Sequence, residues 1–147
     1  MFDQGIMVGI HARKLFEDGI LIDKRSSDAI VETKLALKQR KPIFEATFSA
    51  EKMLSKADIL VPVKGDQWDI IEVKSATRVK DIDIDDVAFQ KNCYDQAGVK
   101  IRKSFVMHIN CKYVRDGSIN TKKLFTQEEV TNELRNSRFD ISLVKDM

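Results

Sequence analysis

Apolar and polar positions follow two different periods along this chain, and the change of period marks its elements. From position 43 to 75 the alternation has a period near two. Ile43-Phe44-Glu45-Ala46-Thr47-Phe48, after the helix-breaking Lys41-Pro42, predicts a strand in which Glu45 shares a face with Ile43 and Thr47. Met53 to Val63 and Trp68 to Ser75 are rich in β-branched and aromatic residues. They flank the polar turn Lys64-Gly65-Asp66-Gln67, so they predict a hairpin that completes a three-strand meander. On either side the spacing is helical: about Asp3 to Phe16, ending near Gly19, and from a Ser26 or Ser27 cap to about Gln39. Ile20 to Asp23 is a short extended piece. A third helix follows the acid-rich run Asp81 to Asp86 and ends at Ala97-Gly98, and Ile101 to Ile109 predicts a fourth core strand. Because its link to the hairpin passes through a helix, that strand is free to lie parallel to Trp68–Ser75. Asp116-Gly117 predicts a small hairpin over Tyr113–Ile119. Thr126 with Glu129 reads as a capping box for a last helix, Gln127 to Asn136. The class is α/β (α+β), a mixed central sheet flanked by helices, in a single domain.

Composition narrows the function classes. At 147 residues with 43% apolar and 33% charged residues, the chain supports one real core. No apolar run reaches the roughly 18–20 residues of a membrane span, and the N-terminus lacks a signal pattern, so a cytoplasmic protein is expected. Cys93 and Cys111 are too few for a disulfide framework or a four-thiolate site. A net charge of +2 excludes a generally basic nucleic-acid coat. The distribution is more telling: Lys74, Arg78, Lys80, Lys91, Lys100, Arg102 and Lys103 crowd behind the hairpin. They form either a local phosphate-facing patch or an ordinary solvated surface.

The candidate chemistry lies in the hairpin. Folding about Gly65 sets Asp58 opposite Glu72, where directly opposed Cβ atoms are roughly 4.5–5.5 Å apart. Lys74, two residues on, shares the Glu72 face. Two carboxylates that close repel, and either one takes up a proton or a cation sits between them. A hard divalent ion, Mg²⁺ or Mn²⁺, suits oxygen ligands. The plainer reading is an Asp58–Lys74 or Glu72–Lys74 ion pair on a solvated face. Ile59, Val61, Ile71 and Val73 make one face apolar, and Leu60 and Ile70 the other, so the charges intrude on a largely buried hairpin and need compensation. On the following helix Gln90 and Tyr94, four apart, share a face. They are either a half-buried aromatic beside an amide, or a pair that orients a phosphate or a neighbouring catalytic group. The aspartates at 81, 83, 85 and 86 are explained by helix capping and the helix dipole.

An Asp, then Glu72-Val73-Lys74 a hairpin later, then Gln90-Lys91-Asn92-Cys93-Tyr94 on the next helix, resembles the PD-(D/E)XK nuclease superfamily. The Gln-x-x-x-Tyr element is similar to that of its RecB-like branch, which includes CRISPR-associated RecB-like exonucleases. The resemblance covers roughly residues 1–134. Ala57 stands where the name-giving Pro would be. The Gly-x-x-x-His of the branch meets Gly9 when counted from Gly5, with His11 about 200° away around the helix.

The resemblance implies a restriction-endonuclease-like αβββαβ core and metal-dependent phosphodiester hydrolysis of nucleic acid, DNA first. Asp58, Glu72 and the Val73 carbonyl would hold Mg²⁺ or Mn²⁺. Lys74 would hold or deprotonate the attacking water, and Gln90 and Tyr94 would fix the substrate backbone. Glu45, Glu32 and His11 are further candidate ligands; for Glu32 an exposed helix-face charge, and for His11 a half-buried histidine, are the competing readings. The rival function is a nuclease-fold domain that binds nucleic acid or a protein partner without cutting. Relatives often carry an iron–sulfur cluster on flanking cysteines; with only Cys93 and Cys111, none is expected here. A longer parent chain with further domains is also expected.

Overall fold

The computed structural model describes residues 4–50 and 53–136. Helix α1 (Gln4–Arg13) leads to strand β1 (Ile20–Leu21) and helix α2 (Ser26–Leu37). Strands β2 (Ile43–Ala50), β3 (Met53–Pro62) and β4 (Gln67–Val73) follow, then helix α3 (Asp81–Gln96) and strand β5 (Lys100–Ile109). A single turn, α4 (Thr121–Leu124), runs into strand β6 (Phe125–Glu129), and a 3₁₀ turn spans Glu133–Asn136. The strands form one mixed sheet in the order β1-β2-β3-β4-β5-β6. The β2–β3, β3–β4 and β5–β6 pairs are antiparallel, and β1–β2 and β4–β5 are parallel. The expected meander and parallel fourth strand are present.

Each sheet face buries its own cluster. Leu60, Ile70 and Val106 pack with Ala29 and Ala36 of α2 and with Val87, Ala88, Cys93 and Tyr94 of α3. Ile59, Ile71, Phe44 and Met107 pack on the other face with Ala12 of α1. The hairpin is therefore apolar on both faces, as its alternation predicts. Phe48 and Tyr94 meet edge to face at 4.8 Å in the larger cluster. Gly65 (φ +77°) and Gly98 (φ +89°) supply the left-handed residues that the hairpin turn and the end of α3 require. Arg40 locks the hairpin turn. Its Nη2 donates to the carbonyls of Val63, Gly65 and Gln67 at 2.6, 2.9 and 3.0 Å, and its guanidinium lies 4.5 Å over the Trp68 ring.

Four local expectations are corrected. Residues 125–129 are not helical. They form β6 along the open edge of β5, with Val130 N–H donating to the Ser104 carbonyl at 2.8 Å, and the sheet edge outweighs the Thr126–Glu129 capping signal. Tyr113–Ile119 forms no strands, because a lone two-residue-turn hairpin with no sheet to join is marginal. The cap of α2 is Arg25 rather than a serine, and its side chain makes no capping bond. Helix α1 ends at Arg13 and continues to Phe16 in tighter i→i+3 turns; the Asp3 expected at its start lies outside the described residues. Among the described residues no helix is long and apolar enough to cross a membrane.

Candidate functional site

The β3–β4 ladder pairs Ile59 with Ile71 and then opens. At the next step Asp58 stands opposite Glu72. The Asp58 carboxylate takes the backbone donor that a continuing ladder would have used: Val73 N–H donates to Asp58 Oδ2 at 2.8 Å. The two strands fork at this point, and the acid sits in the fork. Glu72 is 8% exposed and hydrogen-bonds to Asp58, holding the proton between them. Burial first, then the Asp58 charge, push the Glu72 carboxyl up to about 8, against the opposing pull of Gln90 and Lys74. Burial likewise raises Asp58, opposed by the Val73 amide and more weakly by Glu72, Lys74 and Arg13. The hairpin register expected from the sequence is the register observed, and the pair is strained electrostatically as that register requires.

Lys74 completes the group. Its Nζ lies 3.7 Å from Glu72 Oε1, 3.8 Å from Asp83 Oδ1 and 3.0 Å from Asp86 Oδ2. Burial disfavours the ammonium, but the Asp86 hydrogen bond and the Glu72, Asp86 and Asp83 charges outweigh it and raise its pKa. Asp83 and Asp86 thus do more than cap α3. Asp83 Oδ2 does accept from Lys80 N–H at 2.9 Å, the expected capping role. Their i, i+3 spacing also turns both toward the hairpin, a signal present in the sequence and read there only as capping.

Gln90 and Tyr94 part company. Gln90 Nε2 donates to Glu72 Oε2 at 2.8 Å, so the amide holds the acid in place, while its buried Oε1 has no partner. Tyr94 is wholly buried, with its hydroxyl 3.3 Å from Ser55 Oγ. The expectation that Tyr94 touches substrate is corrected by its burial: it packs α3 against β2 and β3. Glu32, on α2, makes no hydrogen bond or ion pair with these groups among the described residues. His11 is half-buried, its Nδ1 has no partner, and it lies off the cavity described next, as its place on the helix predicts.

A cavity of about 310 Å³ opens beside the fork, lined by Gly5, Ile6, Gly9 and Arg13 of α1 and by Glu45, Asp58, Ile59 and Val73 of the sheet. Glu72 lies behind Asp58 rather than on this lining. Glu45 reaches the cavity by an unusual route. Its φ is +61°, a left-handed conformation inside a strand that costs a non-glycine residue on the order of 1 kcal/mol or more. The strand's alternation breaks there, so that Ile43 and Ala46 both enter the larger core cluster. The expected shared face of Glu45 with Ile43 and Thr47 is corrected accordingly. Burial and the Asp58 charge raise the Glu45 carboxyl, with Arg13 and Lys56 opposing.

Among the described residues no three His, Cys, Asp or Glu side chains converge as a ready coordination sphere. The donor set is nonetheless suited to a hard cation: two opposed oxygens that burial forbids from ionising together, and a third carboxylate across the cavity. An ion such as Mg²⁺, which keeps several waters, needs one or two carboxylates from the protein. Comparison with protein families, with curated proteins and with solved structures finds no match to this chain.

Proposed function

We propose that this domain is a metal-dependent nuclease of the PD-(D/E)XK type, acting on DNA through a restriction-endonuclease-like αβββαβ core. The observation that carries the reading is the forced pairing of Asp58 and Glu72 at the β3–β4 fork, with the Lys74 ammonium 3.7 Å from Glu72. Asp58 and Glu72, with the Val73 carbonyl, would hold Mg²⁺ or Mn²⁺. Such an ion, when bound, polarises a phosphate and lowers the pKa of a coordinated water. Gln90 keeps Glu72 oriented through one 2.8 Å hydrogen bond. Asp83 and Asp86 hold Lys74 beside Glu72, where its positive charge offsets charge building on the phosphate. Held by three acids, Lys74 acts as a fixed cation and not as a base.

The test is incubation with linear, circular and single-stranded DNA, with Mn²⁺ or with chelator, alongside Glu72→Ala and Lys74→Ala. Mn²⁺-dependent cutting should disappear in both variants while their far-UV circular dichroism is retained. Full cutting by Glu72→Ala would overturn the assignment. Binding of DNA without cutting by the wild type, together with no calorimetric heat for Mn²⁺, would favour the non-cleaving rival.

A further inference from the structure

The cations that crowd the sequence behind the hairpin are largely committed. Lys91 meets Asp95 at 2.7 Å, Lys100 meets Asp66 at 2.9 Å, Arg102 meets Asp69 at 2.7 Å, and Lys103 meets Glu129 at 3.4 Å. Asp69 also accepts from Arg102 Nε and from Lys103 N–H, each at 3.1 Å. A phosphate chain approaching that surface meets paired charges. Arg13 differs. It lines the cavity beside Asp58 and Glu45, half-buried, and among the described residues no carboxylate lies within ion-pair distance of it. A cation in the last turn of α1 suits the helix dipole, but the dipole does not require it to face a cavity. A planar guanidinium with free donors is suited to phosphate oxygens.

The helix face that carries Arg13 is bare. Gly5, Gly9 and Arg13 are four apart and all line the cavity. Glycine inside a helix costs about 1 kcal/mol against alanine. Packing does not require it at position 9, where an added Cβ would meet nothing within 4 Å, and no left-handed φ requires it either. What the glycine provides is space on the cavity side. At about 310 Å³ the cavity lies at the low end of small-ligand pockets, with room for roughly one nucleotide unit and none for a base-paired segment.

We infer that Arg13 grips the phosphate next to the scissile one, on an unpaired strand that lies against the bare face of α1 at Gly9. This rests on the nuclease reading and names its substrate as single-stranded DNA or a frayed end. The test is fluorescence anisotropy with a fluorescein-labelled single-stranded oligonucleotide and a blunt duplex of the same sequence. Ca²⁺ replaces Mn²⁺ to permit binding without cutting, and NaCl is varied. The proteins are wild type, Arg13→Ala, Arg13→Lys and Gly9→Leu.

The wild type should prefer the single strand. Arg13→Ala should weaken that binding by about tenfold to a hundredfold. It should also reduce the slope of log Kd against log salt by about 0.7, the loss of one single-strand phosphate contact. Arg13→Lys should restore the slope but only part of the affinity. Gly9→Leu should leave the Tm equal or higher and still weaken binding, because its side chain occupies the seat; it decides the matter should Arg13→Ala fail to fold. If the wild type binds and cuts while Arg13→Ala and Gly9→Leu match its affinity and salt slope, the inference falls and the nuclease reading stands. Equal wild-type affinity for duplex and single strand also overturns it. If the wild type binds neither oligonucleotide and cuts nothing, both fall.

Discussion

The opposed carboxyls place a quantitative demand on the ion-free protein. Glu72 is pushed from the ordinary 4.5 up to about 8 by burial and by the Asp58 charge. Between those two values the folded chain keeps a proton that the unfolded chain has released. The stability associated with this group is therefore fully present below about pH 4.5 and is lost as the pH rises through 8. From pH 5 to pH 8 the loss approaches ~3 pH units at ~1.4 kcal/mol each, about 3–4 kcal/mol in all. In a domain of this size that corresponds to a fall in Tm of about 10 °C. Glu72→Gln removes the titration and keeps the shape. The assay is thermal unfolding followed by circular dichroism in chelator, at half-unit steps from pH 5 to 8, for both proteins. The wild-type Tm should fall with pH more steeply than that of Glu72→Gln, and the two curves should converge or cross toward pH 8. Mn²⁺ at pH 8 should raise the wild-type Tm, because a bound ion replaces the proton, and should raise that of the variant much less. Parallel curves for the two proteins would refute the reasoning, since Glu72 would then not be the group that titrates.

Two substitutions test the surroundings of this pair. Glu45→Gly relieves a left-handed residue and should stabilise the fold by about 1 kcal/mol in urea denaturation, while lowering Mn²⁺ affinity measured by calorimetry. A loss of stability would mean that the Glu45 side chain contributes more than its backbone costs. Tyr94→Phe should cost only about 1 kcal/mol, the bond to Ser55, and Tyr94→Ala about 3–5 kcal/mol. Equal effects of the two in urea denaturation would contradict the core role of the ring.

The hairpin was legible in the sequence because everything that sets it is local. β-Branched runs of matched length flank a glycine turn, and a period of two leaves one register in which both faces bury their apolar side chains. That register alone places Asp58 opposite Glu72 and brings Lys74 onto the same side. The order of helix, meander, helix and strand followed from the same patterning. Other features depend on which elements become neighbours. Residues 125–129 carry a helix signal and form a strand because β5 offers an unpaired edge, and satisfying its backbone groups outweighs a capping box. Tyr94 has the spacing of a functional residue, but burial against Phe48 and Ser55 keeps it from any ligand. Asp83, Asp86 and Arg13 read as ordinary helix-end charges until the sheet brings Lys74 and the Asp58 fork beside them. The left-handed turn at Glu45 has no mark in the local sequence at all. Local periodicity determines which residues face each other within an element pair; the environment of a charge is set by elements distant in the chain, and only the folded sheet decides it.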